Sequence, residues 1–150
     1  GVIFYLRPKS EIKTTLAKMQ NQKKIDSSLQ IITCVNDDSE KAMFRAKKTL
    51  AFYVSVGKIY REFLASNGFE NEAKNIFEEY EKNGLQSNHE LVSESMVNEL
   101  CIVGTPDECK TQLRQFRETG IDLPIIQFNP TDNVEDSFNL VTTTFSEESD

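Results

Sequence analysis

Residues suited to metal, redox or nucleophilic chemistry are scarce in this sequence. It holds one histidine, His89, and three cysteines, Cys34, Cys101 and Cys109. An odd cysteine count with no C-x-x-C spacing suggests neither a disulfide framework nor a zinc or redox motif. Cys34 and Cys101 sit in apolar runs, where a free thiol behaves as a small hydrophobe. His89 lies in the polar stretch 86–90 and reads as an exposed residue near a helix start, which supports neither a zinc site nor a Ser-His-Asp triad. Phosphate-binding glycine loops are missing too: no G-x-G-x-x-G and no G-x-x-x-x-G-K-S/T follows any strand-like run. No apolar run approaches the ~20 residues that span a bilayer, and no charged-then-apolar leader opens the chain, so the expectation is a cytosolic protein. Positive charge is also short. Seventeen Lys and Arg against 24 Asp and Glu give a net charge of -7, which argues against a nucleic-acid backbone as partner. The only basic doublets, at 23–24 and 47–48, read as solvated helix faces.

What remains is an ordinary globular composition, 38% hydrophobic and 27% charged over 150 residues, enough for one domain with a core. Residues 1–6 and 29–35 are continuous apolar runs of the kind a parallel strand needs when both faces are covered. The first begins without a polar lead-in, as though the chain opened inside an element. Ser10 is a candidate N-cap for a helix with Ile12, Leu16 and Met19 inward. Asp37-x-x-Glu40 resembles a capping box. A helical excursion then occupies about residues 38–98, with Ala42, Ala46, Leu50, Tyr53 and Val56 on one stripe and a possible break at Gly57. Asn67-Gly68 and Asn83-Gly84 read as helix stops. Ala73, Ile76, Phe77 and Tyr80 mark a helix between them, and a short helix over 88–98 is expected to turn Leu91, Val92 and Met96 inward. Residues 100–103 form a short apolar run. Thr105-Pro-Asp-Glu108 combines an N-cap, a first-turn proline and a capping-box glutamate, the strongest local signal present. Its helix buries Cys109, Leu113 and Phe116 and stops at Thr119-Gly120 before Ile121. Residues 124–128 form a last strand. Asp132-x-x-Glu135 opens a final helix with Phe138, Val141 and Phe145 inward, and 146–150 is an acidic tail expected to fray.

Strands separated by helices pair in parallel, so the class is α/β. At 150 residues the chain falls short of the ~250 of a closed barrel. A single domain over 1–150, forming part of a (β/α)8 barrel with a helical insertion, fits best.

The ordered set Met96-Val-Asn-Glu-Leu-Cys-Ile-Val-Gly-Thr-Pro-Asp-Glu-Cys109, Leu113, Phe116, Gly120-Ile-Asp122 and Ile125-Ile-Gln-Phe128 resembles the end of luciferase-like monooxygenases. That family includes reduced-FMN monooxygenases and deazaflavin (coenzyme F420) enzymes such as methylenetetrahydromethanopterin reductase. Gly1-Val-Ile and Asp38-Ser-Glu-Lys-Ala42 resemble its strand end and helix start. The helical excursion and Val92-Ser-Glu-Ser-Met-Val97 lean towards the reductase branch. The resemblance implies the carboxyl-terminal part of a TIM-type barrel, a small-molecule substrate, FMN or F420 as coenzyme, a missing amino-terminal half and a homo-oligomer.

In such a barrel ligands bind at the carboxyl ends of the strands. That position selects Arg7, Lys9 and Ser10 as an anion cradle, or as surface residues and a cap. It also selects Thr33 and Asn36, or a polar core residue and a turn. Gln127 and Asn129 would meet a coenzyme ring edge, or a backbone partner. No catalytic acid, base or nucleophile stands out, in keeping with a coenzyme that carries the chemistry itself. The reading from another class is a non-catalytic half-barrel or paralogue that binds a partner chain through an open sheet edge.

Overall fold

A computed structural model describes residues 1–19 and 24–146; Lys23 and the acidic tail 147–150 lie outside the described residues. Four parallel strands alternate with helices: β1 (Val2–Tyr5), α1 (Lys9–Met19), β2 (Ser27–Val35), α2 (Ser39–Val56), α3 (Lys58–Leu64), α4 (Glu70–Asn83), α5 (Glu94–Leu100), β3 (Cys101–Gly104), α6 (Pro106–Arg117), β4 (Leu123–Phe128) and α7 (Val134–Ser146). The long strand β2 is the centre of the sheet. β1 pairs with its first half, Val2 opposite Ser27 to Tyr5 opposite Gln30, and β3 with its last, Ile32 opposite Cys101 to Val35 opposite Gly104. β4 lies opposite residues 28–33, so it takes the other edge. β1 and β4 are therefore parallel neighbours of β2, as expected, and β3 is short, though no shorter than β1.

Alternation along the strands sends two sets of side chains to opposite faces. Phe4, Leu29, Ile31, Val35 and Ile102 pack with Ile12 and Leu16 of α1, Cys109, Leu113 and Phe116 of α6, and Val141 of α7. Ile32, Cys34, Cys101 and Val103 on the other face meet Ala42, Ala46, Leu50 and Val54 of α2 and Met96, Val97 and Leu100 of α5. All three thiols are buried, and burial pushes Cys34 and Cys109 up to about 12 and Cys101 well above its ordinary value. They are core residues.

Local signals place most boundaries. Glu108 reaches back to accept from the Thr105 N–H at 2.8 Å and hydroxyl at 3.0 Å, closing the capping box of α6. Gly120, at φ +95°, ends that turn and buries Ile121. Between α3 and α4 the chain passes through a widened turn, Ala65–Phe69, with Gly68 at φ +96°. Several expectations shift. The cap of α2 is Asp38, which accepts from the N–H groups of Glu40 and Lys41; Asn36 Oδ1 holds the Asp38 N–H and fixes the shift from Asp37. α7 is capped by Asn133 because Asp132 is taken by Lys41 and Asn36. Residues 88–98 are not one helix: a 3-10 turn, Asn88–Leu91, stops at Val92, and Ser93 caps α5 anew through the Met96 N–H. Leu91, Val56, Phe138 and Met19 are exposed rather than buried. His89 is half-buried against the Phe44 ring rather than exposed, and its Nδ1 has no hydrogen-bond partner.

Candidate functional site

The carboxyl ends of the strands gather the expected site residues, but not into one site. β1 leaves the sheet through buried Leu6, whose φ of +49° is unusual for a branched side chain. Arg7 then lies against two rings, 4.5 Å from Phe63 and 5.2 Å from Phe4, and donates through Nη1 to Thr15 Oγ1 at 3.4 Å. Burial draws its pKa below the ordinary arginine value, with Glu11 opposing. Lys9 Nζ donates to Gln115 Oε1 at 3.0 Å and Asn98 O at 3.3 Å. Ser10 is not a cap: α1 starts at Lys9, and the Ser10 N–H donates to Glu99 Oε2 at 2.9 Å. A carboxylate of this chain already occupies the helix start proposed as an anion cradle. These three residues tie β1 and α1 to α3, α5 and α6.

Thr33 is fully buried on the face covered by α1, α6 and α7, and its hydroxyl donates to Ile31 O at 2.9 Å. Asn36 joins two loops. Its Nδ2 donates to Thr131 Oγ1 and Asp132 Oδ2 at 2.9 Å each, and Asp132 pairs with Lys41 at 3.2 Å. The Asn36 and Lys41 donors hold the Asp132 carboxyl below its usual range.

Gln127 and Asn129 do come together, on the face opposite α1, α6 and α7. Gln127 Oε1 accepts from Gln30 Nε2 and its Nε2 donates to the Tyr53 hydroxyl, both at 3.3 Å. Asn129 Nδ2 donates to Gln127 O at 2.9 Å. The Thr49 hydroxyl lies 3.1 Å from Arg45 O and 3.3 Å from Asn129 Oδ1, able to donate to either. Behind this chain stand three tyrosines in edge-to-face contact, with ring centroids 5.4 Å apart for Tyr5–Tyr53 and 5.6 Å for both Tyr5–Tyr60 and Tyr53–Tyr60. The buried Tyr5 hydroxyl makes no well-formed hydrogen bond. Its pKa is raised, first by burial and then by Tyr53, so it stays protonated. Gly57 lets Tyr60 join the group, since a Cβ there would stand 2.5 Å from the Tyr60 ring and 2.9 Å from Tyr53 O. Beside these residues opens a cleft of about 440 Å³, lined by the α2 stripe Arg45, Lys48, Thr49, Phe52 and Tyr53 with Leu85, Asn88 and Asn129.

Sequence reasoning missed Tyr5, Tyr53, Tyr60, Thr49, Arg45 and Lys48. Tyr53 falls on the apolar stripe of α2, and Lys48 in a basic doublet expected on a solvated face. The available signal was the second stripe of α2, at i, i+3, i+4, i+7 and i+8 from Arg45. Its spacing alone does not say what it faces.

Comparison with known proteins places this geometry. A family model described as luciferase-like monooxygenase matches residues 1–123. Coenzyme F420-dependent tetrahydromethanopterin reductase from Methanopyrus kandleri matches 100% of the chain with a TM-score of 0.75 at 21% identity. An F420-dependent secondary alcohol dehydrogenase, solved with an F420-acetone adduct, matches 99% with a TM-score of 0.60 at 15% identity. The chain spans 45% and 42% of those two proteins. No curated protein sequence matches it. At these identities the likeness is one of fold: part of a barrel, with α1, α6 and α7 on one face of the sheet and Tyr5, Gln30 and Gln127 on the other. No helix among the described residues is long and apolar enough to cross a membrane.

Proposed function

The chain belongs to the luciferase-like monooxygenase family, and from that premise we propose that it forms the carboxyl-terminal part of a barrel oxidoreductase working with reduced FMN or the deazaflavin coenzyme F420. The observation that carries this reading is the run of amides and hydroxyls from Gln30 through Gln127 and Tyr53, with Asn129 and Thr49 adjoining, at the carboxyl end of β4 on the face opposite α1, α6 and α7. Such a run suits a flavin or deazaflavin ring edge. Amide groups both donate and accept, and the Tyr5 hydroxyl beside them has no good partner of its own. Gln127 and Asn129 would orient the ring edge. The tyrosine group would form a neutral wall that keeps water out, with Tyr5 protonated throughout the physiological range. When bound, the coenzyme supplies the hydride or oxygen chemistry itself. This chain contributes no acid, base or nucleophile to the proposal.

Of the two activities, hydride transfer of the methylenetetrahydromethanopterin reductase kind is preferred to oxygen insertion, because the helical excursion leans that way and the two similar structures named above are F420-dependent proteins. A second reading, a half-barrel that acts by binding another chain, draws on the exposed Ile3, Leu123 and Phe138. Fluorescence titration of the full-length protein with F420 and with FMN separates the two. Saturable binding of either supports the oxidoreductase. Binding of neither, together with a stable complex with a second polypeptide, supports the other.

A further inference from the structure

Helix α2 carries two stripes. One, Ala42, Ala46, Leu50 and Val54, is entirely buried against the sheet. The other, running from Arg45 to Tyr53, lines the cleft of about 440 Å³ beside Asn129. No lining residue is acidic, although acidic residues outnumber basic ones 24 to 17 in the whole chain.

Arg45 and Lys48 also lack counter-ions: neither takes part in an ion pair among the described residues. The Lys48 ammonium rests 4.9 Å from the Phe44 ring centroid. Arg45 is half-buried, and its Nε is shielded from solvent with no hydrogen-bond partner. A guanidinium donor withdrawn from water without an acceptor is destabilised, and an oxyanion would supply the missing acceptor. The rest of the polar lining is held in place. Asn88 is 1% exposed and donates to Ser55 Oγ at 2.8 Å, and Asn129 is 6% exposed and bonded as described above. Phe52 and Leu85 add apolar walls. At the exit of β1, Arg7 Nε is likewise shielded without a partner, but its guanidinium is covered by two rings and donates to Thr15, Lys9 is held by Gln115 and Asn98, and Glu99 fills the helix start.

We propose that this cleft binds an oxyanion, a phosphate or carboxylate carried by the coenzyme or the substrate, with Arg45 and Lys48 as its counter-ions. The assignment rests on the reading that a small-molecule ligand enters at this end of the barrel, and adds the sign and position of its charge.

The test uses the full-length protein, labelled for NMR, with inorganic phosphate and glutarate as probes and sodium chloride at matched ionic strength as control. The Arg45 Nε–Hε signal, identified by its loss in Arg45→Lys, should shift saturably with phosphate, glutarate or both, and not with chloride. Whichever probe acts tells a phosphate-bearing from a carboxylate-bearing ligand. Lys48→Gln, at an exposed position, should keep the wild-type thermal midpoint and weaken probe binding about tenfold. No saturable shift, an equal shift with chloride, or an affinity unchanged in Lys48→Gln would overturn the proposal. Coenzyme titration of the same sample separates it from its premise. Coenzyme binding with a silent Arg45 rejects the anion cleft alone, and a responsive Arg45 without coenzyme binding rejects the oxidoreductase reading alone.

Discussion

On the side of the sheet covered by α1, α6 and α7, Ile12 and Phe116 are completely buried, whereas across the same strands Ile3 is 70% exposed and Leu123 58%. The covered side is closed by helices that lie next to their strands in sequence, through caps and apolar stripes that each helix carries itself. The opposite side is closed only over the carboxyl half of β2 and over β3, where α2 and α5 pack. Its lower half is open, and its polar residues gather at the border between the two. One face is thus complete within 150 residues and acts as scaffold. The other is left partly open, and it holds the candidate site.

The contrast is most exposed to refutation in the cores. Phe116→Ala should destabilise the protein by about 3–5 kcal/mol, the usual cost of an aromatic cavity. Ile3→Ala in the same 150-residue chain should stay within about 0.5 kcal/mol, as exposed substitutions do. Urea denaturation of both variants measures the difference, and equal shifts would erase the distinction between the faces. At the border, Gly57→Ala drives a methyl into the Tyr60 ring and Tyr53 O. It should cost about 1–3 kcal/mol and disturb the near-ultraviolet dichroism of the tyrosines. A native tyrosine spectrum would show that the group does not depend on that glycine.

Smaller effects sharpen the scaffold side. Thr105→Ala should cost about 1 kcal/mol through loss of the cap, seen as a lowered thermal midpoint. Asp122 fixes the start of β2 by accepting from the Ser27 N–H and hydroxyl, both at 2.8 Å, and those two donors hold its pKa below the ordinary carboxylate value. Its contribution is therefore complete above the unfolded pKa of about 3.9 and is lost as pH falls through the lower folded value. Asp122→Asn should flatten that acid limb slightly, and an acid-unfolding curve identical to wild type would remove Asp122 from the account.

Much of the scaffold side was legible in the sequence. Thr105-Pro-Asp-Glu108, Gly120-Ile121 and the Cys109, Leu113, Phe116 spacing each fix local geometry, and the four parallel strands follow from their apolar runs. The misses have a common physical origin. Phe138 and Leu91 have core-like spacing yet face solvent, because periodicity shows that a helix has a face without showing what covers it. Lys9 and Ser10 looked like an anion cradle from position alone, and Glu99, almost ninety residues away, is what fills it. Gln127 and Asn129 stood out because a polar pair at the end of an apolar strand calls for partners, although β4 itself is only half-buried. Tyr53, Thr49 and Arg45 did not, because they reach that pair only through the tertiary packing of α2.

The central claim, that ligand meets the polar residues around Asn129 and Gln127 and not the mouth of β1, is tested most directly by coenzyme affinity in two variants of the full-length protein. Fluorescence titration with F420 or FMN should show about tenfold weaker binding for Asn129→Ala, the loss of one buried hydrogen-bonding group, and wild-type binding for Lys9→Ala. Weakened binding in Lys9→Ala with Asn129→Ala unchanged would contradict it.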